Sequence, residues 1–214
     1  LVDAMQWPVR RLAINGIHFH GGVRSGEKCI ATVNSLTTFL PLFLALSASS
    51  PYWDGQDTGL ASARTKIFEG LPTAGLPPQL HSWSEFEEFL DALIRAEAIE
   101  SVREVWWDIR PHPDFGTVEL RMCDGMTNLD DVAALAALAQ SLVAWLLDRL
   151  AAGKDLPGAP EWVVRENKWL ASRHGLDSAF IVDGAGHRSP AATQLDELVD
   201  ELTPTAAARG CADE

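Results

Sequence analysis

The period of the hydrophobic pattern changes several times along the chain, and each change marks an element. Around residues 10–23, Ile17 and Phe19 alternate with His18 and His20, a period of two that predicts a strand with both histidines on one face. Over residues 26–49 the apolar positions Ile30, Val33, Leu36, Phe39, Leu40, Phe43, Leu44 and Leu46 recur at helical spacing, predicting a buried helix that Pro41 can kink. Residues 50–59 are rich in turn residues and aromatics and read as a loop, followed by a short helical piece over 60–68. The Gly/Pro-rich stretch 70–78 excludes regular structure. Ser82 or Ser84 caps a helix to about Ala98, with Phe86, Phe89, Leu90, Leu93 and Ile94 on one side.

Two strands are expected next, over 102–111 and 115–123, joined by His112-Pro113-Asp114, a joint short enough for an antiparallel hairpin. A helix over 129–152 is capped by Asn128 and stopped by Gly153, and another follows Pro160 to His174 and stops at Gly175. Residues 180–182 form a short strand before the turn Asp183-Gly184, and a last helix covers about 191–202. With no internal repeat and no linker, residues 1–214 read as one α+β unit, helices packed on an antiparallel sheet.

Composition narrows the function classes. A net charge of −13 without a Lys/Arg-rich run argues against a nucleic-acid binder, while leaving nucleotide binding open. The longest apolar run, residues 39–46, is too short to span a bilayer and contains a proline, so no membrane partner is expected. Cys29, Cys123 and Cys211 are odd in number and widely spaced, unlike a disulfide framework, and predict reduced core thiols at Cys29 and Cys123 and a cytoplasmic chain. The chain opens at Leu1 without an initiator methionine, and residues 1–7 read as the end of a helix already under way, so an internal fragment of a longer protein is expected.

The candidate chemistry lies on the strands. An HxH pair suits a metal ion when the rings are neutral and an anion when they are protonated. In the strand Thr117-Val118-Glu119-Leu120-Arg121-Met122, alternation places Thr117, Glu119 and Arg121 on one face, and in its neighbour Trp106, Asp108 and Arg110 face together. Isolated charges on strands also suit a solvated sheet face, but His, Arg and Trp are not the residues such a face favours. Gathered on one concave face, imidazole and carboxylate could hold Mg²⁺ while arginines hold phosphate or carboxylate oxygens, a combination suited to phosphoryl transfer. His81, His112, His174 and His187 read as surface residues, and the tryptophans as core.

These residues also carry a resemblance. Gly-Ile-His-Phe-His and Thr-Val-Glu-Leu-Arg resemble the G-x-H-x-H and E-x-R strand motifs of the glutamine synthetase superfamily. The blocks at residues 45–53, 57–64 and 72–75, with Trp107-Asp108-Ile109-Arg110-Pro111 and Arg165-Glu166-Asn167-Lys168-Trp169, narrow it to the type 2 glutamate–cysteine ligases, also called carboxylate–amine ligases. The resemblance implies a glutamine-synthetase-like catalytic domain that uses ATP and Mg²⁺ (or Mn²⁺) to join amino-acid substrates, glutamate and cysteine as the named pair, through an acyl phosphate. It implies His18 and Glu119 as metal ligands, His20 as a nucleotide phosphate contact, and Arg121 as the contact to the transferred phosphoryl group. Arg64 would meet the substrate carboxylate or phosphate. Arg110 is a further substrate-binding candidate, with a structural pairing to Asp108 or Glu119 the alternative. A homo-oligomer is compatible with it.

The family's first strand, with glutamates that ligate further metal ions, is expected upstream of Leu1, and the 214-residue piece alone is expected to be inactive. Two other readings stay open. A metal-dependent hydrolase built on HxH would need a third His, a Lys and an Asp at strand ends. A non-catalytic truncated relative would act as a partner subunit.

Overall fold

The computed structural model describes residues 2–212. After a short helix α1 (Val2–Met5) and a 3₁₀ turn over Val9–Arg11, the chain enters β1 (Gly16–Gly22), shorter at its start than the alternation suggested. The helix expected over residues 1–7 is thus a single turn, and Leu1 lies outside the described residues. Ser25 caps α2 (Gly26–Ser47), accepting from the Lys28 N–H, and Pro41 lies within it. The supposed loop at 50–59 is a miniature hairpin, β2 (Tyr52–Trp53) and β3 (Gln56–Asp57), turned by Asp54 and Gly55 at positive φ. An Asp-Gly pair is the sequence signal for such a turn, and here it has only two residues of strand on either side.

Ser62 caps α3 (Ala63–Phe68) and Ser82 caps α4 (Trp83–Arg95). The strand expected over 102–111 shortens to β4 (Ile109–His112). The preceding Val102–Glu104 is a 3₁₀ turn, and the Arg110 guanidinium occupies the carbonyls of Val102 and Val105, so no strand has to pair there. Pro113–Phe115 and the left-handed Gly116 then turn the chain into β5 (Thr117–Asp124), the hairpin the spacing foretold. Three further helices, α5 (Leu129–Ala151), α6 (Glu161–His174) and α7 (Ala191–Arg209), complete the fold. Between α6 and α7 a two-stranded hairpin, β6 (Ala179–Ile181) and β7 (Arg188–Pro190), replaces the single expected strand. The last helix runs past Leu202 and through Pro204.

The class is α+β, with antiparallel sheets. The main sheet has the order β1-β5-β4, so β5 is central and both neighbours run against it. Its apolar face, Val118, Leu120 and Met122 with Ile109, is buried against α2 and α5 in one core with Leu36, Leu40, Phe43, Leu142 and Leu146. A smaller cluster of Ile30, Phe86, Ile99, Val105 and Trp107 seals α4 onto the side of α2. Both α2 and α5 are long and apolar enough to cross a membrane by length and composition, and two-thirds of the apolar window of α2 is buried inside the protein. Cys29 and Cys123 are core thiols, and burial pushes Cys123 up to about 12. Trp107 is core, whereas Trp7, Trp162 and Trp169 are exposed, against expectation.

Because the core is built where α2 crosses the sheet, Phe43→Ala should destabilise the protein by roughly 3–5 kcal/mol through lost burial and the cavity left behind. Leu129, 82% exposed at the start of α5, should tolerate alanine at well under about 1 kcal/mol. Denaturant midpoints of the two variants compare them directly, and equal losses would contradict this placement of the core.

Candidate active site

The alternation on β1 holds: Ile17 and Phe19 turn inward, and His18 and His20 turn to the open face. Antiparallel pairing then sets His20 opposite Glu119, and Glu119 opposite Arg110 on the other side. Four groups converge on the Glu119 carboxylate, which is itself 3% exposed. Arg110 Nε donates to Oε2 at 2.7 Å and Arg121 Nη1 to Oε1 at 2.7 Å. His18 Nδ1 lies 3.1 Å and His20 Nε2 3.7 Å from Oε1. Burial alone would raise the Glu119 pKa, but the His18 hydrogen bond and the two guanidinium groups together hold it below the usual carboxylate range. It is a buried carboxylate whose charged form these partners favour. His20 is held below its ordinary value, chiefly by burial and against the pull of Glu119, and its Nδ1 meets Thr117 Oγ1 at 2.9 Å.

A second polar group closes the far end of the sheet. Asp124, at the end of β5, accepts from the Ser49 N–H and Ser50 Oγ through Oδ2 and from Ser62 Oγ through Oδ1, which explains the serine-rich run after α2. Arg64 belongs here. Its Nη1 and Nη2 donate to the carbonyls of Met122 and Arg121 at 3.0 Å each, and its guanidinium lies flat against Gly16, where a Cβ would stand 2.2 Å from Nη2. Of the six expected site residues, the structure thus brings His18, His20, Glu119 and Arg121 together, and leaves Arg64 at the far end of the sheet on backbone carbonyls of β5 beside Asp124. Arg110 joins the first group through Glu119, the structural pairing offered as its alternative.

Three features escaped the sequence reading. His112, expected at the surface, is 5% exposed: it stacks on Phe115 with ring centroids 4.3 Å apart and stands edge-on to His20 at 5.7 Å. Asp108 pairs not with Arg110 but with Lys168 of α6, whose Nζ is 2.5 Å from its Oδ2. Lys168 also reaches Glu69 Oε1 at 2.7 Å. The even spacing of Asp108 and Arg110 hid this pairing, because it comes from a helix sixty residues away.

The family model for glutamate-cysteine ligase family 2 matches residues 1–214. The chain belongs to glutamate–cysteine ligase family 2. It is 54% identical over its whole length to a Frankia casuarinae protein named "Putative glutamate–cysteine ligase 2-1", covering 56% of that relative. It is 51% identical to "Putative glutamate–cysteine ligase 2" of Thermobifida fusca, covering 54%, and 46% identical to the Mycobacterium ulcerans protein of that name, covering 55%. The chain spans about half the length of the curated relatives it matches. For this family member the site can be tested for a divalent ion by its donors. His18 Nδ1 and Glu119 Oε1 stand 3.1 Å apart, the spacing of two neighbouring ligands around an octahedral ion bound at about 2.1 Å. Among the described residues no group of three or more His, Cys, Asp or Glu side chains is placed to hold a metal, so an HxH zinc centre of the hydrolase kind is not completed by them. An ion such as Mg²⁺, which keeps waters and takes phosphate oxygens, fits two protein donors.

A carboxylate whose pKa is lower folded than its unfolded value of about 4.3 contributes stability that is full above that pH and lost as the pH falls below it. Glu119→Gln should therefore cost roughly 3 kcal/mol near neutrality, leaving two buried guanidinium groups short of their counter-charge. It should also flatten the acid limb of a stability–pH curve measured by denaturant unfolding. Acid limbs of equal slope in variant and parent would contradict the charge state assigned to Glu119.

Proposed function

We propose that the open face of the β1-β5-β4 sheet binds Mg²⁺-ATP, and that the whole protein is an ATP-dependent carboxylate–amine ligase of glutamine-synthetase-like catalytic architecture. The observation that supports this reading most is the Glu119 hub, an ionised carboxylate between an HxH pair and two arginines. His18 and Glu119 would hold the Mg²⁺, or Mn²⁺, which when bound neutralises charge on the phosphates. His20, neutral through burial, would meet a phosphate as a hydrogen-bond donor rather than as a cation. Arg121, with one nitrogen on Glu119, would turn its remaining donors to the phosphoryl group in transfer.

The reaction proposed runs in two steps. A substrate carboxylate oxygen attacks the γ-phosphorus and ADP leaves. The amine then attacks the acyl carbon, phosphate leaves, and the amine's proton passes to solvent or base, forming an amide. Glutamate and cysteine are the pair proposed, following the names of the relatives. Arg64 and Arg110 take a changed part in this reading. With their donors on the Arg121, Met122, Val102 and Val105 carbonyls and on Glu119, they hold the phosphate-facing groups in place. Contact with a substrate carboxylate would require either arginine to leave those partners.

ADP release by the full-length protein, screened against pairs of amino acids, tests the reading. Activity should depend on Mg²⁺ or Mn²⁺, be greatest with a glutamate–thiol amino acid pair, and fall by about a hundredfold or more in Arg121→Ala, where the phosphoryl contact is lost. His18→Ala and Glu119→Ala should also raise the Mg²⁺ requirement. Full activity in both of those variants would refute the metal assignment.

A further inference from the structure

Lys168 is 3% exposed on the inner side of α6, and its ammonium sits between Asp108 and Glu69. An ammonium this deep is stable only while carboxylates face it, and removing one side leaves a buried charge uncompensated. The two carboxylates it joins belong to the segments that frame Arg121. Glu69 follows α3, the helix whose Arg64 holds the Arg121 carbonyl. Asp108 precedes β4. Its N–H donates to the Gly75 carbonyl at 2.8 Å, and its own carbonyl accepts the Arg121 N–H at 2.7 Å.

Arg121 depends on that hold from the β4 side. On the β1 side the register shifts between Ile17 and Phe19, so that Arg121 and Met122 both stand opposite His18 and the regular ladder is interrupted there. The Arg121 side chain is tied through Nη1 to Glu119, and its Nε is buried without a partner. A shift of the Arg121 backbone is therefore passed to the guanidinium rather than absorbed by a web of side-chain bonds. We infer that Lys168 is a positioning residue: by bridging Asp108 and Glu69 it fixes the backbone at Arg121 and so aims the Arg121 guanidinium. The consequence for phosphoryl transfer rests on the ligase reading, but the placement itself does not.

Amide hydrogen exchange on the full-length protein tests the placement without an activity assay. In Lys168→Met the amides of Arg121 and Asp108 should exchange about tenfold faster or more, while those of Val118 and Leu142 stay within about twofold of the parent. Lys168→Arg, which keeps a cation between the two carboxylates, should restore protection at Arg121. Uniform acceleration across sheet and core, no change at Arg121, or failure of the arginine variant to restore protection would each overturn the proposal. Should Lys168→Met fail to fold, Glu69→Gln decides, since it removes the less buried partner: faster exchange confined to Arg121 and Asp108 supports the bridge, and unchanged exchange there refutes it. In an enzyme that ligates, Lys168→Met should lower kcat by about ten- to a hundredfold with KM for ATP changed by less than about threefold. Unchanged kcat beside a loosened Arg121 would overturn the catalytic consequence. An absence of ATP-dependent ligation in the parent protein would count against the ligase reading alone, because the exchange result is read independently of it.

Discussion

The Glu119 carboxylate is the constraint around which the polar face is organised. Two buried guanidinium groups on neighbouring positions would repel each other and lose hydration, and one carboxylate between them offsets both. Burial lowers the Arg121 pKa, with Arg110 acting in the same direction, and Glu119 opposes both effects. The two guanidinium groups outnumber the one carboxylate between them, in a chain whose net charge is −13. This local excess of positive charge would favour an anion against the charge of the surface as a whole, and low-dielectric surroundings would strengthen that preference.

The alternation on β1 and β5 makes most of this cluster legible in the sequence. A period of two assigns faces, and pairing in an antiparallel sheet then needs only the correct register to bring His20, Glu119 and Arg110 into one row. The hairpin at His112-Pro113-Asp114 was equally legible, because Pro and Gly fix the turn locally. Contacts made by elements distant in sequence were not legible. Lys168 figures in the sequence only within the block at 165–169, and nothing at those positions tells which side of α6 faces Asp108. The stretch before β4 failed for another reason: its residues have strand-like composition, but Arg110 satisfies their carbonyls and removes the need for a ladder. His112 was misjudged because a histidine beside a proline reads as a loop, whereas stacking on Phe115 covers it.

The arginines show how a side chain suited to a ligand can serve the scaffold instead. A guanidinium has five donors in a fixed fork, and Arg64 uses that fork to grip two successive carbonyls of β5 just where β1 departs from regular pairing. Gly16 permits this, since any side chain there would displace the guanidinium. The site is thus fixed at the end of β5 by Arg64, from the side by Asp108 and its lysine, and within the cluster by Glu119. Preorganisation of this kind matters most where charge moves during the reaction, because donors already in place need no reorganisation as that charge develops.

Exposure along the row gives the face a direction. Glu119 and Arg121 on the central strand and Arg110 on β4 are buried, whereas His18 and His20 on β1 remain about one-third exposed. Groups that hold charge are therefore kept from water, and groups able to bind or release a ligand face it. A phosphate-bearing ligand that approached over β1 would meet imidazoles first and guanidinium last. The bulge opposite His18 lies on the central strand, where Arg121 and Met122 of β5 together face that one residue of β1. The extra residue breaks the period of two within β5 beside Arg121, so that Arg121 from the central strand and His18 from the edge strand both reach the same Glu119 oxygen.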